Sequence, residues 1–366
     1  MIKLLFVIEN LGGGGAERVL VNLVNHLDKT KYDITLITLF EKGVNASSLN
    51  SSIKLLNLNI KKFSGMKYIL KFIPSKILYK IFLRKTVDII NPDVIVAYMT
   101  GVPTFLVAGA PYKKIAWLHG EFFKDDYLNI FGLKHIYNKY DRVAGVSKYV
   151  CDCFDSVISP KVKSQVIYNT NDFDRIISLS NEPYEKETDK LIITTVGCLE
   201  KTKGYDRLIP ICKRLVDDGF DFLLYIMGEG VERPNLEKQI SDLGLSKNIK
   251  LLGYCSNPFN IEKNSDLFVC SSRTEGLSTA VTEAVILGVP VVSTDVSGAK
   301  EILGENNEYG IVTENTEEAL YKGIKKMLEN EDLREHYKKK TLERAEFFAT
   351  ENTVKQAEEL FKSVID

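Results

Sequence analysis

The chain has 366 residues, of which 45% are hydrophobic and 27% charged, and its formal net charge is −1. This length suits two domains of about 150–200 residues each, and the apolar content supports packed cores and argues against a disordered protein. No stretch of 18 uninterrupted apolar residues occurs, so a membrane-spanning helix is not expected.

The charge is divided unevenly between the two halves of the chain. Residues 1–177 carry 24 Lys and Arg and 15 Asp and Glu, a net charge of +9, whereas the remainder carries 24 and 34, a net charge of −10. Such asymmetry indicates a surface partner for one half only.

The cysteines and the N-terminal residues indicate the cell compartment in which the protein functions. The six cysteines show no spacing typical of a disulfide framework. Cys151 and Cys153 could form a metal or redox pair, but no histidine lies nearby in sequence, which favours reduced structural thiols. The first ten residues have a short apolar part and no small-residue cleavage site, so they predict a first strand and not a signal peptide. We therefore expect a cytoplasmic protein.

Apolar strand-like runs alternate with helical stretches throughout the chain. In chain order the runs lie at 3–8, 33–39, 93–98, 114–118, 142–146, 191–196, 222–227, 249–252, 266–270, 290–293 and 310–312, and helical stretches at about 316–347 and 352–364 end the chain. This rhythm predicts parallel sheets in two α/β domains, 1–177 and 190–349, with the polar segment 181–190 as linker. Such folds bind ligands outside the carboxyl ends of their strands.

The first strand-to-helix turn is rich in glycine. Gly12 to Gly15 lie between the strand at 3–8 and a helical segment at 16–27. The turn lacks the G-x-G-x-x-G spacing with a following strand-end acid, so NAD binding is not expected.

The segment 271–284 is the most informative part of the chain. It follows a predicted strand, and Gly276 lies in its turn into a helix for which Ser278 or Thr279 is the expected N-cap. Free N–H groups and the helix dipole favour a phosphate there. Glu275 before the helix and Glu283 inside it can hold a sugar hydroxyl and a ribose diol, with a diphosphate between them.

This arrangement resembles the E-x7-E motif of retaining glycosyltransferases of family 4. These have the GT-B fold, in which two Rossmann-like parallel-sheet domains face each other across a cleft. Further segments resemble the family in order and spacing: 12–18, 118–120, 146–148, 196–204, 227–230 and 294–302. The resemblance also implies that the last helix, 350–366, packs back on the N-terminal domain.

The resemblance implies a donor site in the C-terminal domain. Lys203 would contact the diphosphate, Glu275 the transferred sugar and Glu283 the ribose. The other expected donor contacts are Gly14, Gly15, Gly197, Arg207, Gly228, Tyr254, Gly276, Leu277, Ser278 and Thr279. Tyr254 packs either by the nucleobase or in the core.

The chain departs from the family at one position of this site. Cys198 stands where the family usually has arginine, and a neutral thiol cannot offer a fork of donors to phosphate. Lys201, Arg207 and Arg273 are possible replacements.

On the acceptor side, His119 follows the strand at 114–118 and by resemblance would bond the donor sugar near the reacting carbon. With Glu275 and Lys203 it completes the expected catalytic set, and no covalent nucleophile is assigned. Glu121 is a weaker candidate. Glu17 and Arg18 either contact the acceptor or are solvated helix charges.

No cofactor or metal ion is expected. Asp172 and Asp174 have the spacing of a ligand pair, but their context favours a helix cap. A lysine and helix N-termini can stabilise the leaving diphosphate instead of Mg²⁺.

Residues 61–86 carry eight Lys and Arg, no acid and several large apolar residues. A basic amphipathic helix is typical of a peripheral helix on an anionic bilayer, and Lys67, Lys71, Lys76 and Lys80 are its expected contacts. The alternative is a helix with its apolar face in the core and its lysines in solvent. Nucleic-acid binding is not expected because no recognition motif accompanies the charge.

We therefore expect a glycosyltransferase that is peripheral on the inner face of the cell membrane. It would transfer a hexose with retention from a nucleotide sugar, with UDP as the expected nucleotide, to a lipid-linked saccharide in capsule or O-antigen type polysaccharide synthesis. The alternatives are a nucleotide-sugar epimerase or hydrolase of the same fold, and a non-catalytic scaffold subunit of a glycosyltransferase complex.

Overall fold

The computed structural model describes residues 1–61, 69–70, 72–120, 130–186 and 188–365, with the side chains of 130 and 131 excepted. The chain forms two compact units. The first comprises Met1–Asn171 and Thr350–Asp366, and the second comprises Asp172–Ala349.

The first unit is built on a seven-stranded parallel sheet. Its strands are β1 (Ile2–Ile8), β2 (Tyr32–Thr38), β3 (Lys54–Asn57), β4 (Val94–Ala97), β5 (Lys113–Leu118), β6 (Arg142–Gly145) and β7 (Ser164–Val166). They are arranged in the order β3-β2-β1-β4-β5-β6-β7, and every neighbouring pair is parallel. The direction of winding changes between β1 and β4, the position at which open α/β sheets bind ligands.

Helices connect these strands because parallel neighbours require crossovers. In the described part of the first unit they are α1 (Gly15–His26), α2 (Ser75–Phe82), α3 (Arg84–Ile90), α4 (Val102–Val107), α5 (Ile130–Tyr137) and α6 (Lys148–Ile158), with a 3₁₀ turn at Val44–Ser48. The central strands are buried on both faces, as expected for a sheet covered by helices.

The second unit repeats the plan with six parallel strands. They are β8 (Leu191–Val196), β9 (Phe222–Met227), β10 (Ile249–Gly253), β11 (Leu267–Cys270), β12 (Val291–Thr294) and β13 (Ile311–Thr313). Their order is β10-β9-β8-β11-β12-β13, so the winding changes between β8 and β11.

The described part of the second unit has eight helices, four of which follow a residue whose side chain caps the first turn. They are α7 (Phe173–Ser180), α8 (Tyr205–Asp217), α9 (Arg233–Asp242), α10 (Phe259–Lys263), α11 (Thr279–Ile286), α12 (Ala299–Leu303), α13 (Glu317–Glu329) and α14 (Glu331–Ala345), with 3₁₀ turns at Lys201–Lys203 and Glu346–Phe348. Asp172 caps α7 by accepting from the N–H of Arg175 at 3.2 Å, so its predicted capping role is confirmed.

The last helix, α15 (Thr350–Ile365), belongs to the first unit. Phe361 on this helix is fully buried, and its ring packs edge-on against Phe6 at 5.9 Å and Tyr32 at 6.2 Å. Trp117 lies 6.4 Å from the same ring. Helix α15 therefore supplies part of the core beside the first sheet.

Three features differ from the sequence-based expectation. Strands β3 and β7 were not predicted. Neither contains a fully buried residue, so neither needs the run of buried apolar residues by which the other strands were recognised. The helical stretch predicted at 316–347 is divided at Asn330, which ends α13 and caps α14. Helix α7, which precedes the predicted linker, lies in the second unit. No helix among the described residues is long and apolar enough to span a bilayer.

Candidate active site

Two loops of the second unit meet at the point where its sheet changes winding direction. One loop, 197–204, follows β8, and the other, 271–278, follows the neighbouring strand β11. The Nζ atom of Lys203 lies 2.7 Å from Oε1 of Glu275. The hydroxyl of Ser272 donates to the same oxygen at 2.7 Å. The structure therefore brings two predicted catalytic residues into direct contact.

The ion pair between Lys203 and Glu275 is partly shielded from water. The side chains are 28% and 12% exposed, respectively. Burial alone lowers the pKa of the Lys203 ammonium, but the contact with Glu275 outweighs it, and the pKa lies above the ordinary value. Lys203 is therefore positively charged at neutral pH and suited to a phosphate.

The start of α11 contributes to the same small pocket. Ser278 and Ala280 line it together with Lys203, Ser272 and Glu275. Ser278 is the N-cap, confirming that part of the prediction, and its hydroxyl accepts from the N–H of Val281 at 3.4 Å. The amino end of a helix thus adjoins a lysine, a combination that favours an anion.

Other predicted residues lie just before α11 or within it. Thr279 is its first residue, and Leu277 before it is 6% exposed. The carbonyl of Gly276 accepts from the hydroxyl of Ser297 at 2.8 Å. Glu283 lies within the helix and is only 4% exposed.

Glycines allow the loops around the site to approach closely. Gly204 has a φ of +68°, and a Cβ there would overlap the carbonyl oxygen of Ser271. A Cβ on Gly228 would likewise overlap the carbonyl of Gly197. These glycines thus set the spacing between backbone segments, because no larger residue fits without moving a loop.

Arg207 has partners that the sequence did not predict. Its Nε and Nη2 atoms donate to the carbonyl of Ser271 at 2.9 and 2.7 Å, and Nη2 also donates to the carbonyl of Ser272 at 2.7 Å. The residue is 7% exposed, and burial lowers its pKa. In this structure Arg207 holds the loop after β11, and these donors are not directed at a phosphate.

The other two possible replacements for the family arginine, Arg273 and Lys201, differ in their ion-pair partners and exposure. Arg273 forms a two-pronged pair with Asp206 at 2.7 and 3.0 Å and also donates to the carbonyl of Lys201. The side chain of Lys201 is 68% exposed and lies 3.5 Å from Glu232. Cys198 itself is an exposed free thiol.

Tyr254 follows β10 and is 78% exposed. The structure therefore excludes the alternative that it packs in the core. The predicted position of Tyr254 beside a nucleobase stays a prediction.

The glycine-rich turn of the first unit leads from β1 into α1. The N–H of Gly12 donates to Asn10 at 2.7 Å, Gly14 is the N-cap without a side-chain bond, and Gly15 begins the helix. The carboxylate of Glu17 folds back beside Gly14. Burial, together with the nearby Glu9, raises the pKa of Glu17.

The same helix carries Arg18, which is half-buried. Its predicted acceptor contact stays a prediction.

His119 lies at the end of β5, as predicted. Its ring stands 4.7 Å from that of Tyr98, and its Nε2 atom is buried without a hydrogen-bond partner among the described residues. Burial lowers the pKa of His119 to about 3. The imidazole is thus neutral at physiological pH and retains an unused polar atom.

Helix α2 has both an inner and an outer apolar side. Leu78 and Tyr79 are buried, whereas Ile77 and Ile81 are 48% and 66% exposed. Lys76 and Lys80 are exposed beside them. Lys67, Lys71 and Glu121 lie outside the described residues.

Sequence reasoning missed Ser272 and Tyr98. The position of Ser272 three residues before Glu275 was the available signal, because such a spacing within one loop permits a side-chain contact. Nothing in the sequence indicated that Tyr98 would pack against His119. Among the described residues, no group of three or more His, Cys, Asp or Glu is arranged for a metal ion.

Comparison with known proteins gives concordant matches for both halves. The family described as "Glycosyltransferase Family 4" matches residues 13–175, and the family described as "Glycosyl transferases group 1" matches residues 178–344. HepE of Anabaena, crystallised with UDP and glucose, has a similar structure with a TM-score of 0.77 at 18% identity, covering 99% of this chain and 100% of that one.

Curated relatives agree with these matches. The N-acetylgalactosamine-N,N'-diacetylbacillosaminyl-diphospho-undecaprenol 4-alpha-N-acetylgalactosaminyltransferase of Campylobacter jejuni is 31% identical over 95% of this chain and 96% of its own length. The capsular polysaccharide biosynthesis glycosyltransferase CapM of Staphylococcus aureus is 32% identical over 42% of this chain and 41% of its own. The chain therefore belongs to the GT-B glycosyltransferases, with a family 4 N-terminal part and a group 1 C-terminal part.

Proposed function

We propose that the protein transfers a sugar from a UDP-sugar to a lipid-linked saccharide, with retention at the anomeric carbon. The observation that carries the proposal is the contact of Lys203 with Glu275 beside the amino end of α11. The lysine and the helix end suit a diphosphate, and the carboxylate suits a sugar hydroxyl.

The donor is proposed to bind through the second unit. Lys203 and the N–H groups from Gly276 to Ser278 hold the diphosphate, Glu283 holds the ribose, and the exposed ring of Tyr254 packs by the base. UDP is the proposed nucleotide, and it is the one that HepE of Anabaena binds in its crystal structure.

The acceptor is proposed to be a saccharide on a polyprenyl diphosphate. The name of the Campylobacter protein supports this, because it contains diphospho-undecaprenol. The name of CapM refers to capsular polysaccharide biosynthesis, the kind of process proposed for this chain. His119 and the glycine-rich turn are the proposed contributions of the first unit to transfer.

We also propose that the protein lies on the inner face of the cell membrane through α2. Exposed Ile77 and Ile81 next to exposed Lys76 and Lys80 combine apolar area with positive charge, which suits an anionic bilayer surface. Such a position would bring the enzyme to a lipid-linked acceptor.

No metal ion is assigned a role. Lys203 and the start of α11 are proposed to stabilise the negative charge of the leaving UDP. Transfer should therefore proceed at the same rate after treatment with EDTA and after readdition of Mg²⁺. A rate restored only by Mg²⁺ would contradict this part of the proposal.

The central experiment is a donor panel. The purified protein is incubated with UDP- and GDP-sugars and an undecaprenyl diphosphate-linked saccharide, and the product is analysed by mass spectrometry and NMR. We expect a lipid product longer by one sugar, with the anomeric configuration of the donor. An inverted product would exclude retention. Epimerised or hydrolysed donor with an unchanged lipid would instead support the epimerase or hydrolase alternative.

A further inference from the structure

The carboxylate of Glu275 is fixed through one of its two oxygens. Lys203 and Ser272 both donate to Oε1, each at 2.7 Å. Within the described residues, Oε2 has no hydrogen-bond partner. A carboxylate held in this way presents its second oxygen in a defined direction, because rotation would break two charge-assisted bonds.

Ser272 is itself held rigidly through its backbone. Its carbonyl accepts from Nη2 of Arg207 at 2.7 Å and from the hydroxyl of Thr294 at 2.7 Å. Ser272, Arg207 and Thr294 are 3%, 7% and 0% exposed. Water therefore competes little for these bonds, and the fixed backbone restricts the serine hydroxyl to the few positions that its side-chain rotamers allow.

The neighbouring residue ties the other member of the ion pair to the same segment. The hydroxyl of Ser271 donates to the carbonyl of Lys203 at 2.8 Å. Lys203 and Glu275 are thus both positioned by residues 271–272, one through its backbone and the other through its carboxylate.

We propose that Ser272 is a positioning residue for transfer, which keeps Glu275 Oε1 on Lys203 and leaves Oε2 to accept a hydroxyl of the donor sugar. The ammonium of Lys203 has three hydrogens, so it binds Glu275 and a phosphate oxygen together. The inference rests on the proposed function and adds a residue that acts only through Glu275.

The test compares Ser272→Ala with wild type in calorimetric titrations of UDP and of the UDP-sugar that gives most transfer in the donor panel. Loss of a bond to a charged group corresponds to roughly tenfold or more weaker binding of the UDP-sugar. UDP lacks the sugar, so its affinity should stay within about twofold of wild type, a bound we set from typical scatter for uncoupled sites.

Two further variants separate positioning from folding. Thr274→Ala removes a hydroxyl from the same loop that makes no hydrogen bond to the described residues, and it should leave both affinities unchanged. In a Glu275→Ala background, Ser272→Ala should have no additional effect on UDP-sugar binding, because its route of action is gone.

Each outcome has a distinct meaning. Equal loss of UDP and UDP-sugar affinity, or the same loss in the Glu275→Ala background, would show that Ser272 only maintains the loop and would overturn the inference. Wild-type affinities in Ser272→Ala would overturn it as well, with the proposed function intact. A wild-type protein that binds and transfers no UDP-sugar would refute the proposed function and the inference together.

Discussion

Gly204 allows the two loops of the candidate donor site to touch. Its left-handed backbone and its contact with the carbonyl of Ser271 each oppose a side chain at this position. Gly244 offers a matched comparison, because it has the same φ of +68° but open space around the position of a Cβ. The pair separates backbone strain from the close approach of the loops.

We expect Gly244→Ala to lower the free energy of unfolding of the second unit by about 1–2 kcal/mol, the cost of a left-handed residue with a Cβ. Gly204→Ala should lower it further and weaken UDP binding, since Ser271 must move. Chemical denaturation and calorimetry measure the two effects. Equal effects of the two substitutions would contradict the close approach.

Because its pKa is lowered by burial, His119 should make the free energy of unfolding of the first unit depend on pH. Its pKa is about 3 in the folded chain, below the ordinary value of about 6.5 in an unfolded chain. Between these values the unfolded chain binds more protons, so the free energy of unfolding decreases as the pH falls from about 6.5 towards 3. His119→Gln should therefore lose less stability than wild type between pH 7.5 and 5.5.

Urea unfolding of the first unit at the two pH values measures this difference. His336→Gln, an exposed position in the second unit, is the control and should behave as wild type. A pH dependence in His119→Gln equal to that of wild type would show that His119 does not carry the effect.

At the residue scale, the sequence predicted Lys203, Glu275 and the cap at Ser278, because each occupies a motif position with a local physical reason. It did not predict the partners of Arg207. Arg207 could either bind a phosphate or hold the loop after β11, and both roles need a cation at this place. Only the folded backbone decides whether loop carbonyls or a phosphate lie within reach of its guanidinium. Long side chains are for this reason the least predictable part of the site.

At the scale of elements, the proposed role of α2 predicts that its lysines bind the protein to anionic membranes. Lys76→Glu with Lys80→Glu should weaken binding to vesicles containing anionic lipid by about tenfold or more, since each lysine near the surface contributes about 1 kcal/mol. Binding to neutral vesicles should not change. Co-sedimentation at low and physiological salt measures both.

The matched control is Lys247→Glu with Lys339→Glu, which makes the same change of charge at exposed positions of the second unit. Loss of vesicle binding in this control would indicate a general charge effect. No loss in the α2 variant would exclude α2 as the contact.

The long apolar strands could be predicted because each buried strand is a run of apolar residues. Strand β3 could not, since its residues are only partly buried and the strand lies at the sheet edge, where pairing with β2 defines it. The break at Asn330 was also missed. Its side chain accepts from the N–H of Leu333 at 2.9 Å, a capping signal inside a stretch of strong helix formers.

At the scale of the whole molecule, a substitution in the buried face of α15 should destabilise the first unit and leave the second unit unchanged. Phe361→Ala should destabilise the first unit by about 3–5 kcal/mol, because it removes a fully buried ring. The second unit should retain its UDP affinity, since Phe361 lies outside it.

Phe347→Ala makes the same chemical change at a residue that is 40% exposed, and it should have a much smaller effect. Thermal unfolding with and without UDP distinguishes the two units, because only the nucleotide-binding one is stabilised by ligand. Loss of UDP affinity in Phe361→Ala would contradict the assignment of α15 to the first unit alone.

The architecture of two parallel-sheet units followed from the alternation of strands and helices. The exact division of the chain did not. Asp172 and α7 precede the polar segment that favoured a linker, and contacts between α7 and α10 place them in the second unit. Such contacts between distant segments leave no local trace in composition.

Because the first unit takes α15 from residues that follow the whole of the second unit, its core stays incomplete until residues 350–366 have been synthesised. The second unit is continuous and is fully synthesised before that point. Although nascent proteins usually acquire structure from the N-terminus onwards, the later-encoded half of this enzyme is therefore the first that can mature. A premature stop directly after Ala349 would remove α15 and so damage the half that was made first.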